Sequence, residues 1–222
     1  FGTDEDTLTA LVCTIPEELR PEIHLMYKER KGRSLLDHIQ SETSFSYKKV
    51  LLMQATDPLL ARVQALNSAM AGLGTDEQQL IRILTSCDAG DRKQMAEMYE
   101  HHYNKSLVEH VSSEISGDFK KALMGIFTAQ EEPYDLDADC AALAAAMEGW
   151  GTDEAALIKL LCSKTRRQRD EIAKRFEETQ GRNLEAWVKS ETSSYFQGVL
   201  LGLIRPEIKQ LAYAVRECIQ GF

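Results

Sequence analysis

A Gly-Thr-Asp-Glu tetrapeptide occurs three times in this 222-residue sequence, and a distant glutamate follows each copy at a fixed distance. The glutamate belongs to a Ser-Glu pair and lies 40 residues after the glycine in every copy. The three pairs are Gly2 and Glu42, Gly74 and Glu114, and Gly151 and Glu191. Three identical offsets are hard to obtain by chance. Glycine permits φ > 0 and close approach of the backbone to a ligand, so such a loop can direct several carbonyl oxygens to one point.

The chemistry of these residues favours a hard cation. Carbonyl oxygens from the loop and one bidentate carboxylate would supply about five oxygen ligands, which suits Ca²⁺ with its requirement for about 6–8 oxygens. Mg²⁺ fits less well because it prefers a tighter octahedron and keeps its waters. The pattern predicts a calcium site, provided that the chain between the loop and the glutamate folds back on itself.

The elements that must position these residues are helices. Apolar residues follow each GTDE at helical spacing, as in Leu80, Ile81 and Leu84, and no alternating strand pattern is present. Thr75 is the expected N-cap of one such helix, with Gln78 completing a capping box. Second helices are expected over residues 16–31, 88–104 and 165–180. The spacings of 72 and 77 residues between the copies therefore predict an all-α array of about 70-residue, five-helix repeats.

The glycine-rich loop, the acid 40 residues later and the five-helix unit together resemble the annexin family over the whole chain. The resemblance implies annexin-like repeats at residues 1–70, 71–147 and 148–222, the first lacking its start. It also implies repeats one to three of a four-repeat core, in a chain cut within the motif at both ends.

The resemblance implies calcium ligands residue by residue. In the second repeat they are the carbonyls of Met70, Gly72 and Gly74 with the Glu114 carboxylate; in the third, Met147, Gly149, Gly151 and Glu191; in the first, only Gly2 and Glu42 remain. Weaker sites would use a threonine carbonyl and a nearby glutamate, namely Thr3 with Glu5, Thr75 with Glu77, and Thr152 with Glu154. The helix dipole alone also favours acids at these positions. Four residues before each site glutamate stand His38, His110 and Trp187, where the family often has an acid.

Composition limits the partners. The formal net charge of −9 argues against a nucleic-acid ligand. A calcium ion with unfilled coordination positions would bridge this acidic chain to the phosphates of an anionic phospholipid membrane. The loop-tip residues Leu73 and Trp150 would meet the membrane interface. An odd number of cysteines and the lack of a secretory signal or an apolar run long enough to span a membrane indicate a cytoplasmic protein that becomes peripheral to membranes when calcium is present.

Two alternatives remain open at this stage. The chain is either a calcium-dependent membrane-binding protein or a helical repeat scaffold for protein–protein interaction, through cytoskeletal or other partners, with weak or vestigial calcium sites. No arrangement of catalytic residues indicates an enzyme. The basic segment at residues 164–169 is expected on a solvated helix face, although it could bind phosphate or a partner.

Overall fold

The protein is all-α in the computed structural model, which describes residues 2–128, 133–149, 151–206, 208–210, 212 and 216. No strand occurs among these residues, and a short 3₁₀ turn at Glu17–Leu19 precedes the second helix. The α-helices are α1 (Glu5–Thr14), α2 (Arg20–Lys31), α3 (Leu35–Glu42), α4 (Phe45–Ala55), α5 (Pro58–Ala69), α6 (Glu77–Ser86), α7 (Ala89–Tyr103), α8 (Leu107–Glu114), α9 (Gly117–Thr128), α10 (Leu136–Met147), α11 (Glu154–Cys162), α12 (Arg166–Gln180), α13 (Leu184–Glu191) and α14 (Ser194–Ile204).

The chain forms two compact units, residues 1–64 and residues 65–222. In the first unit, α1, α3 and α4 contribute a buried apolar cluster that includes Val12, Ile39 and Leu51, each at most 3% exposed. Tyr27 on α2 packs against the same cluster. The cluster holds α1 and α3 in one compact group, which is what a loop–glutamate site requires.

In the second unit, α14 packs closely against α6, and small residues make this approach possible. A Cβ atom on Gly202 would lie 2.4 Å from the Thr85 Oγ1 atom, and one on Gly198 would lie 3.0 Å from the Ile81 Cδ1 atom. Gly125 of α9 has the same role against α11, where its Cβ would lie 2.7 Å from Ile158. Gly125 of α9 and Gly202 of α14 thus set how closely neighbouring helices approach.

An aspartate caps each helix that follows a GTDE glycine. Asp4, Asp76 and Asp153 accept hydrogen bonds from the backbone N–H groups three residues later, at 3.1, 2.9 and 2.9 Å. The expectation that Thr75 is the N-cap was therefore wrong by one residue. Its hydroxyl is used elsewhere, in a contact with Glu114.

The expected second helices are present with shorter bounds. The first of them begins only at Arg20, because the 3₁₀ turn intervenes. Gly32 and Gly181 end α2 and α12 in the left-handed conformation, with φ of 69° and 62°, as their glycine character predicts. Asn104 ends α7 in the same way, with φ of 51°. The repeat boundaries at 1–70, 71–147 and 148–222 stay a prediction.

Candidate functional site

The glycines of the two GxGT loops have matching positive φ angles. The φ angles of Gly72 and Gly74 are 101° and 92°, and those of Gly149 and Gly151 are 96° and 93°. No atom lies within 4 Å of a Cβ built on any of these glycines, so glycine is required by the backbone angle and not by a lack of space. Each loop is closed by a backbone hydrogen bond of 2.8 Å, from Asp76 to Ala69 and from Asp153 to Ala146.

Buried methionines anchor both loops, while a loop tip is exposed. Met70 and Met147 are only 4% and 2% exposed, so they hold the start of each loop against the helical core. Leu73, between the two glycines of the second repeat, is fully exposed. Its counterpart Trp150 lies outside the described residues. The loop tip therefore leaves an apolar side chain uncovered by the rest of the protein.

The structure brings each loop to its distant glutamate. The Thr75 hydroxyl donates to the Glu114 carboxylate at 3.0 Å. The Thr152 and Thr3 hydroxyls donate to the backbone carbonyls of Glu191 and Glu42, at 3.0 and 3.3 Å. The equivalent threonine therefore joins the loop to the end of the glutamate helix in all three copies. This juxtaposition is the condition on which the calcium prediction depended.

A tyrosine–histidine pair adjoins the glutamate in the first two repeats. The Tyr99 hydroxyl lies 2.7 Å from His110 Nδ1, and His110 Nε2 lies 3.8 Å from a Glu114 oxygen. Burial raises the pKa of Tyr99 to about 12, so this hydroxyl stays neutral. Tyr27, His38 and Glu42 repeat the arrangement, with 2.5 Å from hydroxyl to Nδ1 and 3.9 Å from Nε2 to a Glu42 oxygen.

The third repeat replaces this polar pair with a ring pair. Phe176 and Trp187 pack with their ring centroids 5.4 Å apart, and both side chains are buried. Glu191 therefore has no imidazole beside it, and the Ser190 hydroxyl donates to its carboxylate at 3.3 Å. The surroundings of Glu114 and Glu191 thus differ, although their loops match.

The segment that follows each glutamate also has a common conformation. The residue three positions later has a left-handed φ in every copy: Phe45 at 52°, Gly117 at 63° and Ser194 at 56°. For a bulky residue such as Phe45 this angle is unusual and costs energy. Its ring is 91% exposed. This left-handed residue could not be predicted from the sequence, because only one of the three residues is glycine.

Several acids of the second and third repeats line one cavity of about 510 Å³. The carboxylates are Glu77, Glu114, Asp118, Glu154 and Glu191. The negative charge of Glu77, which also accepts a hydrogen bond from Tyr195, raises the pKa of that tyrosine. Asp118 was missed from the sequence because it has no acidic counterpart in the other repeats; it pairs with Lys121 at 2.8 Å. The cavity gives this part of the surface a strong attraction for cations.

The weaker candidate residues lie at the helix starts that follow the loops. Glu5, Glu77 and Glu154 are the first residues of α1, α6 and α11. Among the described residues, no group of three or more His, Cys, Asp or Glu side chains is arranged to hold a metal ion. A metal here would therefore depend on backbone oxygens for most of its ligands, as the loop hypothesis requires. No helix in the described part of the chain is long and apolar enough to cross a membrane.

Comparison with known proteins identifies the family. The annexin family profile matches residues 1–53, 61–126 and 138–203. Annexin A4 of Rattus norvegicus is 33% identical over 220 residues, a match that covers 96% of this chain and 69% of that protein. The chain therefore belongs to the annexin family.

Solved structures agree with the fold. The structure of annexin III superposes with a TM-score of 0.89 at 27% identity, covering 100% of this chain and 72% of that one. A calcium-bound annexin (Sm)1 superposes with a TM-score of 0.87 at 23% identity, covering 100% and 70%. The second likeness, at this identity, shows the fold alone.

Proposed function

We propose that this protein binds anionic phospholipid membranes in a calcium-dependent manner, through its GxGT loops and the glutamate 40 residues after each. Annexin family membership supports calcium-dependent phospholipid binding in general and a binding protein in place of an enzyme. Ca²⁺ is the cofactor that the family supports, and a calcium-bound annexin is among the structures that share the fold. The finer assignment to particular residues is our proposal.

The proposed ligands form two complete sites. One comprises the carbonyls of Met70, Gly72 and Gly74 with the Glu114 carboxylate, and the other comprises Met147, Gly149, Gly151 and Glu191. The observation that carries the proposal is the 3.0 Å hydrogen bond from Thr75 to Glu114, since it places the only acidic side chain of the set at its loop. Gly2 and Glu42 are the corresponding residues of the first repeat.

Calcium resolves the apparent conflict between an acidic protein and an acidic membrane. About five protein oxygens leave one or more of the 6–8 calcium positions open, and a lipid phosphate oxygen can fill them. The ion then bridges two negative surfaces. Leu73 and Trp150 would contact the lipid interface beside the bridge. The threonine and glutamate pairs at Thr3 and Glu5, Thr75 and Glu77, and Thr152 and Glu154 would hold further calcium ions weakly.

Vesicle co-sedimentation tests the proposal. Vesicles of phosphatidylserine and phosphatidylcholine should sediment the protein in the presence of calcium and release it when a chelator is added. Combining Glu114→Gln with Glu191→Gln should abolish most of this binding, because each carboxylate is the only one in its proposed site. The fold should survive, because substitutions at partly exposed sites usually change stability by less than about 1 kcal/mol.

A matched variant separates ligand loss from charge loss. Glu97→Gln with Glu100→Gln removes the same two charges from exposed positions on α7, and it should bind as the original protein does. Unchanged binding by the Glu114 and Glu191 double variant at the same calcium concentration would refute the ligand assignment. If the original protein sediments with vesicles to the same extent with calcium and with chelator, the proposed function is refuted. The protein-binding scaffold is then the remaining hypothesis.

A further inference from the structure

A second cavity, of about 340 Å³, lies at the other end of α6 and α11 from the calcium loops. The loops precede the first residues of these two helices, whereas the cavity is lined by Cys87 and Cys162 at their last turns. A ten-residue helix such as α6 is about 15 Å long, so the two sites are well separated. The calcium proposal therefore makes no use of this cavity.

The lining of the cavity is strongly cationic. Four basic side chains line it, Arg92, Lys164, Arg166 and Arg169, against one carboxylate, that of Asp88. Asp88 caps α7, where it accepts a hydrogen bond from the Asp91 N–H at 2.8 Å. Lys164 is only 4% exposed and pairs with Asp139 at 2.9 Å. The expectation that residues 164–169 form a solvated face was therefore wrong for Lys164 and Arg169, although Arg167 remains exposed.

Arg169 is the buried arginine of this cavity. It is 7% exposed, its Nε donates to the Leu203 carbonyl at 2.9 Å, and its Nη1 donates to the carbonyls of Leu161 and Lys164. The other two arginines also donate to backbone carbonyls: Arg92 to that of Cys87, and Arg166 to that of Ser86 at 2.7 Å. Burial lowers the pKa of Arg169 to about 10. These carbonyl acceptors are neutral, and an anion in the cavity would compensate the positive charge that they leave.

Two helix N-termini add to the positive potential. Ala89 and Gly90 at the start of α7 and Thr165 and Arg166 at the start of α12 all line the cavity. Both helices have 15 residues. Their first backbone N–H groups have no partner within the helix, and the helix dipole favours an anion at this end.

We propose that this cavity is a binding site for a phosphate group, held by Arg92, Arg166 and Arg169 together with the N-termini of α7 and α12. Arginine forms strong, paired hydrogen bonds to phosphate oxygens. The site is specific to this pair of repeats. The residues at the position of Arg166 in the other two repeats are Ala89 and Glu17, 77 and 149 residues earlier, so they offer no equivalent cation.

Titration of inorganic phosphate into the calcium-free protein, followed by calorimetry or by NMR shifts, tests the site. We expect saturable binding that Arg166→Gln weakens by about tenfold, which corresponds to the loss of one charge-assisted contact of about 1.4 kcal/mol. Arg166→Lys should recover part of the affinity. Arg167→Gln removes the same charge one residue along α12, from a side chain that is 89% exposed and pairs with Glu171; it should leave binding within about twofold.

Further measurements distinguish a lipid phosphate from a soluble one and test whether phosphate binding depends on the proposed calcium sites. Vesicles containing phosphoinositides, tested in chelator, should bind if the ligand is a lipid headgroup, whereas binding of only soluble phosphate esters assigns it to a small molecule. Both results support the site. The Glu114→Gln, Glu191→Gln double variant should bind phosphate normally, so failure of the calcium proposal would leave this one standing. Absence of saturable binding, or equal weakening by Arg166→Gln and Arg167→Gln in folded protein, would overturn it.

Discussion

At the scale of single residues, the two proposed calcium sites have glycines with matching φ angles but differently bonded carboxylates. Glu114 accepts a hydrogen bond from Thr75 at 3.0 Å and has His110 within 3.8 Å. In the third repeat the equivalent threonine bonds to the backbone carbonyl of Glu191, so the carboxylate is not held by the loop hydroxyl. A metal ion must compete with the 3.0 Å bond from Thr75 at Glu114, and with only the longer, weaker 3.3 Å bond from Ser190 at Glu191.

We expect the third-repeat site to bind calcium more tightly than the second. A hydrogen bond contributes about 1 kcal/mol, so the difference between the two bonds changes the affinity by up to about fivefold. Glu191→Gln alone should therefore raise the calcium concentration needed for vesicle binding more than Glu114→Gln alone does. Titration of both single variants by co-sedimentation checks this order, and an equal or reversed order would show that the threonine contact does not control affinity.

At the scale of helices, the close approach of α14 to α6 depends on glycine. Thr85 is 1% exposed, and its hydroxyl donates to the Ile81 carbonyl at 2.8 Å and accepts from Gln210 at 2.8 Å. Gly202 lies directly against it, so a methyl group there would meet the Cβ of Thr85 at 2.9 Å as well as its hydroxyl. Neither atom is the end of a flexible side chain, and the helices must separate to admit the methyl group.

Gly202→Ala should therefore destabilise the protein by about 2 kcal/mol, a typical cost of overpacking. Gly198→Ala is the matched substitution on the same helix, where the new methyl group would meet only the tip of the Ile81 side chain at 3.0 Å. That side chain can move, and alanine favours a helix over glycine by about 1 kcal/mol, so the stability should change little. Chemical denaturation of both variants measures the difference, and equal free energies of unfolding would contradict this account of the packing.

Helices and loop–glutamate pairs that recur in each repeat could be predicted from the sequence. Local features that depend on a single tertiary contact could not. The fixed offset from Gly74 to Glu114 indicated the loop–glutamate pair because the same spacing recurs three times. The cap moved from Thr75 to Asp76 because the threonine hydroxyl has a distant partner that local sequence cannot show. The left-handed φ angle of Phe45 could not be predicted either. Local propensity disfavours this angle for phenylalanine, so the surrounding structure must impose it.

At the scale of the whole molecule, the acidic net charge explains why a cationic cavity was not predicted from the sequence. The overall charge is −9, and two acids, Asp170 and Glu171, directly follow the basic segment at residues 164–169. Only the fold brings Arg92 of α7 to Arg166 and Arg169 of α12 around one cavity. An acidic cavity and a cationic cavity at opposite ends of α6 and α11 give the second unit a charge distribution that net charge conceals.

The bridging mechanism makes a prediction for the whole molecule about calcium and lipid together. A site with one carboxylate should bind calcium weakly in free protein, with a Kd on the order of 10⁻⁴–10⁻³ M. Binding of lipid phosphate to the open positions must tighten calcium binding by the same factor by which calcium tightens lipid binding. The calcium concentration for half-maximal sedimentation should therefore fall by about tenfold or more when the phosphatidylserine fraction of the vesicles is raised from low to high. A midpoint that does not respond to the anionic lipid, measured at constant ionic strength, would show that calcium acts elsewhere on the protein and does not join it to the membrane.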